Sequence, residues 1–113
     1  VDHPWHLEIH PEFDYENFLR SLSPQHALTV STFLFEVTKI AELRQAPSSW
    51  IKPLKAGLFE FRISANGALV RVFFTYKKGR IIFLLAAYDK GADSSPKRQQ
   101  QEISIARKRI RSA

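Results

Sequence analysis

Leu58 to Phe74 reads LFEFRISANGALVRVFF. Two apolar-rich runs flank Asn66-Gly67, the strongest short hairpin signal a sequence carries. With those two residues as the loop, the cross-strand pairs run Ala65–Ala68, Ser64–Leu69, Ile63–Val70, Arg62–Arg71, Phe61–Val72 and Glu60–Phe73. Side chains alternate between faces along a strand, so the pattern tests the register. Phe59, Phe61, Ile63, Val70, Val72, Phe74 and Tyr76 fall on one uniformly apolar face, and Glu60, Arg62, Arg71 and Phe73 fall on the other. A slip of one residue would mix the two sets. The register that keeps them apart sets Arg62 opposite Arg71, although like charges facing each other across a ladder destabilise a sheet.

Outward from this hairpin the elements follow in turn. Lys77-Lys78-Gly79 is a second turn, so strands at Leu58–Ser64, Ala68–Tyr76 and Arg80–Tyr88 form a three-strand meander. Ile51 to Gly57 reads as a loop carrying Lys52 and Lys55, after a break at Ala46-Pro47-Ser48-Ser49. Upstream, Val30, Phe33, Leu34, Val37, Ile40 and Ala41 recur at helical spacing as a core stripe, with Ser23 as N-cap and Pro24 at the first helical position. A shorter helix opens at Asp14 and ends near Ser21-Leu22, and the alternation of Trp5-His6-Leu7-Glu8-Ile9 marks a first strand. After a loop from Asp89 to Ser95, Pro96 opens a last helix that ends in ARKRIRSA. The order β-α-α-β-β-β-α predicts one α+β domain over residues 1–113. Its small antiparallel sheet consists of an N-terminal strand plus the meander, covered by two N-terminal helices and one C-terminal helix.

The 113 residues contain no cysteine, which excludes disulfides and thiolate metal sites and suits a cytoplasmic protein. The longest apolar run, Ile81 to Tyr88, is strand-sized and far short of the roughly 20 residues of a membrane helix. The first residues show no signal-peptide pattern. His3, His6, His10 and His26 have no ligand spacing and read as surface or strand residues, so neither metal nor cofactor is expected. The charge divides unevenly. Residues 1–50 carry three basic against seven acidic side chains, net −4, and residues 51–113 carry 14 against four, net +10. A solvated basic face is the plain reading, and an anionic partner for the second half is the functional one.

Paired arginines suit planar, bidentate recognition of a phosphate. A carboxylate beside them, Glu60, is placed to act as a general base toward a hydroxyl next to that phosphate. The plain alternative is an exposed Arg-Glu-Arg cluster in which Glu60 offsets the repulsion. Lys52, Lys55 and Lys90 surround this face, although any one of them alone reads as a surface lysine.

The succession IKPLKAGLFEFRI, VRVFFTY and IIFLLAAYDKGADSSPKRQQQEISIA resembles the RelE/HigB class of bacterial toxins from type II toxin–antitoxin systems. More narrowly it is similar to the phage-derived Gp49-like/HigB group. The resemblance covers about residues 50–110 and implies a RelE-like fold and a metal-independent endoribonuclease. Such an enzyme cleaves messenger RNA, commonly in the ribosomal A site, and is held silent by a cognate antitoxin. It implies Glu60 as base, Arg62 and Arg71 as phosphate clamp, and Lys90 as a backbone or leaving-group contact. Lys52 and Lys55 are then grips for ribosomal or messenger phosphates, and Tyr88 a surface for base stacking. Gly91, Ser94, Ser95 and Pro96 stand where relatives carry a second lysine and a tyrosine or histidine, so no general acid follows from the resemblance. The antitoxin is expected to be a helix-turn-helix protein, and DNA to be met only through it. Two other functions fit the scaffold: a ParE-like toxin that poisons gyrase, and a non-catalytic RNA- or ribosome-binding domain.

Overall fold

The chain runs β1 (His6–Ile9), α1 (Tyr15–Arg20), α2 (Pro24–Val37), a 3₁₀ turn (Leu43–Gln45), β2 (Ile51–Pro53), β3 (Phe59–Ala65), β4 (Ala68–Lys77), β5 (Ile81–Asp89) and α3 (Pro96–Arg111). This is a computed structural model, and it describes residues 3–112. All six hairpin pairs form as the Asn66-Gly67 turn dictates, Arg62 opposite Arg71 among them. Asn66 and Gly67 both take left-handed φ, 52° and 81°, as a type I′ turn requires. The Asn66 amide also reaches Thr29 Oγ1 at 3.3 Å, which pins the turn to α2. The helix starts are capped where serine and aspartate stand: Asp14, Ser23 and Ser95 each accept a backbone N–H from three residues on.

The sheet departs from expectation in two ways. Its order is β1-β5-β4-β3-β2, and β1 runs parallel to β5, so the sheet is mixed rather than antiparallel. More than half of the chain, residues 10–80, separates these two strands, so no turn between them exists whose chemistry could reveal their direction. The segment Ile51–Pro53, expected within a loop, is a fifth strand paired with Phe59–Phe61. Three residues are too few to show alternation, and Pro53 is tolerated because the strand lies at the edge.

Both faces of the sheet are covered. On one, Phe61, Ile63, Val70, Val72, Phe74, Ile82 and Leu84 pack against Val30, Leu34 and Val37 of α2. On the other, Phe73, Phe83, Leu85, Ala86 and Tyr88 pack beneath Ala106 of α3, with Ile103 and Ile110 alongside. A register shift between Phe73 and Phe74 leaves Leu85 without a direct partner on β4 and puts it on the same side as Ala86. The sheet therefore tucks Arg71 of its arginine pair beneath the α3 side and leaves Arg62 partly open to solvent. Among the described residues no helix is long and apolar enough to cross a membrane.

Candidate active site

The Arg62 backbone N–H donates to the Trp50 carbonyl at 2.8 Å and so points away from β4. Arg62 and Arg71 are therefore a non-hydrogen-bonded pair, the kind in which opposed side chains come closest. Arg71 in turn lies opposite Tyr88 on β5, while Glu60, two residues from Arg62, lies opposite Lys52 on β2. One face of four adjacent strands thus carries Lys52, Glu60, Arg62, Arg71 and Tyr88 side by side. The hairpin fixes the middle three and β2 and β5 supply the ends.

Two of the three members of the Arg-Glu-Arg cluster are buried, contrary to the plain reading of the sequence, and Arg62 stays partly exposed. Glu60 is fully buried and Arg71 is 7% exposed, because α3 closes this side of the sheet. Arg62 Nε lies 3.4 Å from Glu60 Oε1, an ion pair at a distance and angle that do not make a hydrogen bond, and both carboxylate oxygens have no hydrogen-bond partner. Arg71 Nη1 donates to the Val70 carbonyl at 3.3 Å. Burial lowers the Arg71 pKa; Glu60 opposes that shift, Arg62 adds to it and Tyr88 opposes it. Burial raises the pKa of the Tyr88 hydroxyl, and Glu60 raises it further against the pull of Arg71 and Arg98. The Tyr88 hydroxyl is also without a hydrogen-bond partner. A buried carboxylate and phenol without hydrogen bonds beside guanidiniums are costly, which singles this cluster out as a candidate site.

The remaining expected residues are placed unevenly. Lys52 is exposed beside Glu60 by strand register. Lys55 is exposed in a left-handed turn (φ 74°), and its carbonyl accepts from Arg107 at 3.3 Å, so its backbone is held while its ammonium is free to reach outward. Lys90 is half-buried just beyond β5, where the Gly91 N–H to Leu69 carbonyl bond extends the ladder. Tyr88 does not offer a stacking face: its ring is fully buried, parallel to Phe73 at 6.2 Å, with the Arg98 guanidinium 5.3 Å above it. The expected base-stacking role is corrected accordingly, since a closed ring cannot receive a base.

Two residues of the cluster were not singled out from sequence. Arg98 and Glu102 join at 3.1 Å one turn apart on α3 and roof Tyr88. Their signal is present in the i, i+4 spacing behind Pro96, but that spacing is equally the mark of a solvated helix face. His10, read as a surface or strand residue, is 3% exposed and accepts the Glu12 N–H at 3.0 Å, with Ser112 Oγ 3.1 Å from its Nε2. It fastens the end of α3 to the loop after β1.

Residues 17–111 match the family described as phage-derived protein Gp49-like. The chain belongs to this family. Among solved structures, its fold is similar to that of a free-state, double-arginine mutant of the E. coli toxin RelE. That match has a TM-score of 0.58 at 15% identity and covers 95% of this chain and 98% of the other. At that identity the likeness establishes the RelE fold and nothing further. No curated protein matches the chain significantly.

Proposed function

We propose that this Gp49-like protein is the toxin of a type II toxin–antitoxin system. In this reading it is a cytoplasmic endoribonuclease that cuts messenger RNA on the ribosome without metal or cofactor, and a cognate helix-turn-helix antitoxin neutralises it. The observation that carries the reading is the Glu60 carboxylate, buried without a hydrogen bond and ion-paired with Arg62 at 3.4 Å, next to the opposed pair Arg62 and Arg71. Membership of the family and the RelE fold support it.

The chemistry follows from the arrangement. A phosphodiester seated on Arg62 and Arg71 draws Arg62 from Glu60 and frees Oε1. The carboxylate then takes the proton of the adjacent 2′-hydroxyl. The 2′-oxygen forms a bond to phosphorus, the bond from phosphorus to the 5′-oxygen breaks, and the departing oxygen takes a proton from water, with Lys90 as the leaving-group contact. The products are a 2′,3′-cyclic phosphate and a 5′-hydroxyl. The two guanidiniums stabilise the charge that builds on the phosphoryl oxygens, where one well-aimed donor typically contributes about 2.7–4 kcal/mol.

The test is to map transcript 5′ ends after induction. Wild type should give cuts positioned on codons, and Arg71→Ala should lower cleavage about 10²- to 10³-fold. A folded Arg71→Ala protein that cuts at the wild-type rate refutes the clamp, and DNA damage in place of transcript cuts moves the assignment to gyrase poisoning. Gly91, Ser94, Ser95 and Pro96, where no acid is matched, favour a second reading, a non-catalytic RNA- or ribosome-binding domain, whose signature is growth arrest with intact transcripts.

A further inference from the structure

Beyond Trp50, β2 has no further residue to pair with β3. Arg62 sends its N–H toward β2, and Ser64, two residues on, turns its backbone N–H and carbonyl the same way. Those two groups face an open edge. A cleft of about 340 Å³ lies against it, lined by Arg62, Arg71, Ser49, Ser64, Leu69 and the ring of Trp50 among others. Its volume sits at the lower end of small-ligand sites, the scale of one nucleotide. Two arginines and two serines border it together with Phe33, Trp50 and Leu69, so cationic, hydroxyl and apolar groups share one cleft. Trp50 is half-buried, tilted against Phe33 with ring centroids 5.0 Å apart, and its carbonyl is held by Arg62 at 2.8 Å. Its ring joins the α2-side core, and the residue borders the same cleft as the two arginines.

We propose that this cleft is a nucleotide subsite, with Arg62 and Arg71 on the phosphate, the Trp50 indole against the base, and the open Ser64 backbone with Ser49 on the base edge. The inference rests on the ribonuclease reading and adds to it the residue that receives the base, a role the buried Tyr88 cannot fill. An aromatic wall accepts any base through its π-face, whereas the backbone N–H and carbonyl of Ser64 discriminate among bases by their edge donors and acceptors. The subsite therefore supplies both grip and a degree of sequence preference.

Trp5→Phe leaves Trp50 as the sole tryptophan and makes its fluorescence the readout. The probes are a trinucleotide with 2′-O-methyl groups, which cannot be cleaved, and inorganic phosphate, which carries no base. RNA should change Trp50 emission, and phosphate should compete for the site while leaving the emission unaltered. In fluorescein-RNA anisotropy Trp50→Leu, which keeps an apolar wall, should weaken binding about 5- to 140-fold, and Trp50→Phe should restore most of it. That range converts the ~1–3 kcal/mol of one base–aromatic stack at ~1.4 kcal/mol per tenfold. Equal melting temperatures establish that the variants are folded. RNA that binds with unchanged emission, and binds Trp50→Leu as tightly as wild type, overturns the subsite. In that case binding that is still lost in Arg71→Ala leaves the phosphate clamp standing. Absence of binding by either probe overturns the subsite and its anion site, while the functional reading stands or falls on the transcript cuts.

Discussion

The Glu60, Arg62 and Arg71 cluster makes opposite predictions for the loss of one member and the loss of all three. Glu60→Gln preserves shape but removes the only negative charge beside two opposed guanidiniums, one of them 7% exposed. Leaving a buried charge uncompensated costs about 3–5 kcal/mol. Solvent screens the share of Arg62, whose side chain is 40% exposed, so about 2–4 kcal/mol is expected. At about 4 °C per kcal/mol for a domain of this size, the melting temperature falls by roughly 8–16 °C. The triple variant Glu60→Leu, Arg62→Leu, Arg71→Met removes every charge together. Apolar replacement of a complete buried ion cluster is often neutral or stabilising by about 1–4 kcal/mol. It should therefore melt at or above wild type while being inert toward RNA. Thermal and urea unfolding of the three proteins, read beside cleavage or growth arrest, decide the matter. A triple variant that loses as much stability as Glu60→Gln would show that the charges hold the fold together, and the inference from costly burial to function would fail.

Two further outcomes follow from the same face. Replacing Lys52 and Lys55 together by alanine should weaken RNA or ribosome binding and lower the salt slope by about 0.7–0.9 per lost phosphate contact; an unchanged slope in titrations at several salt concentrations returns both lysines to ordinary surface charge. Burial raises the hydroxyl pKa of Tyr15, Tyr76 and Tyr88, so in the folded protein they keep their protons to higher pH than in the unfolded chain. Their stabilising contribution is complete below the unfolded tyrosine value of about 10 and is lost as pH rises above it. Tyr88→Phe, which also removes a buried unpaired hydroxyl, should be no less stable at neutral pH and should lose stability less steeply between pH 10 and 11; melting curves of the two proteins with the same alkaline slope would contradict this.

What the sequence reveals and what it hides divide along one physical line. The hairpin register, the starts of α2 and α3 and the apolar stripe of α2 are local, set by Asn66-Gly67, by Ser23-Pro24 and Ser95-Pro96, and by spacing within one helix. The parallel direction of β1, the short strand at Ile51–Pro53 and the burial of the charged face depend on partners far away in the chain. Glu60, Arg62 and Arg71 were therefore legible as neighbours but not as buried neighbours, since a charged triplet has the same pattern under a helix as in water. One trace of the covering does survive in the sequence. Ile81 to Tyr88 is apolar without alternation, which is the mark of a strand covered on both faces. β5 is hydrogen-bonded along the strand that carries Arg71, with Tyr88 directly opposite it, so what roofs Tyr88 also shelters Arg71, whereas Arg62, one strand further out, stays partly exposed. The same helix that hides the charges supplies Arg98 above Tyr88. What remains open to a ligand is the far side of the pair, at the Trp50 edge where β2 ends. In the proposed reading an anion approaches from that side, through the cleft that Arg62 and Arg71 both line. If its binding draws Arg62 from Glu60, occupation of the site and release of the carboxylate are then a single event.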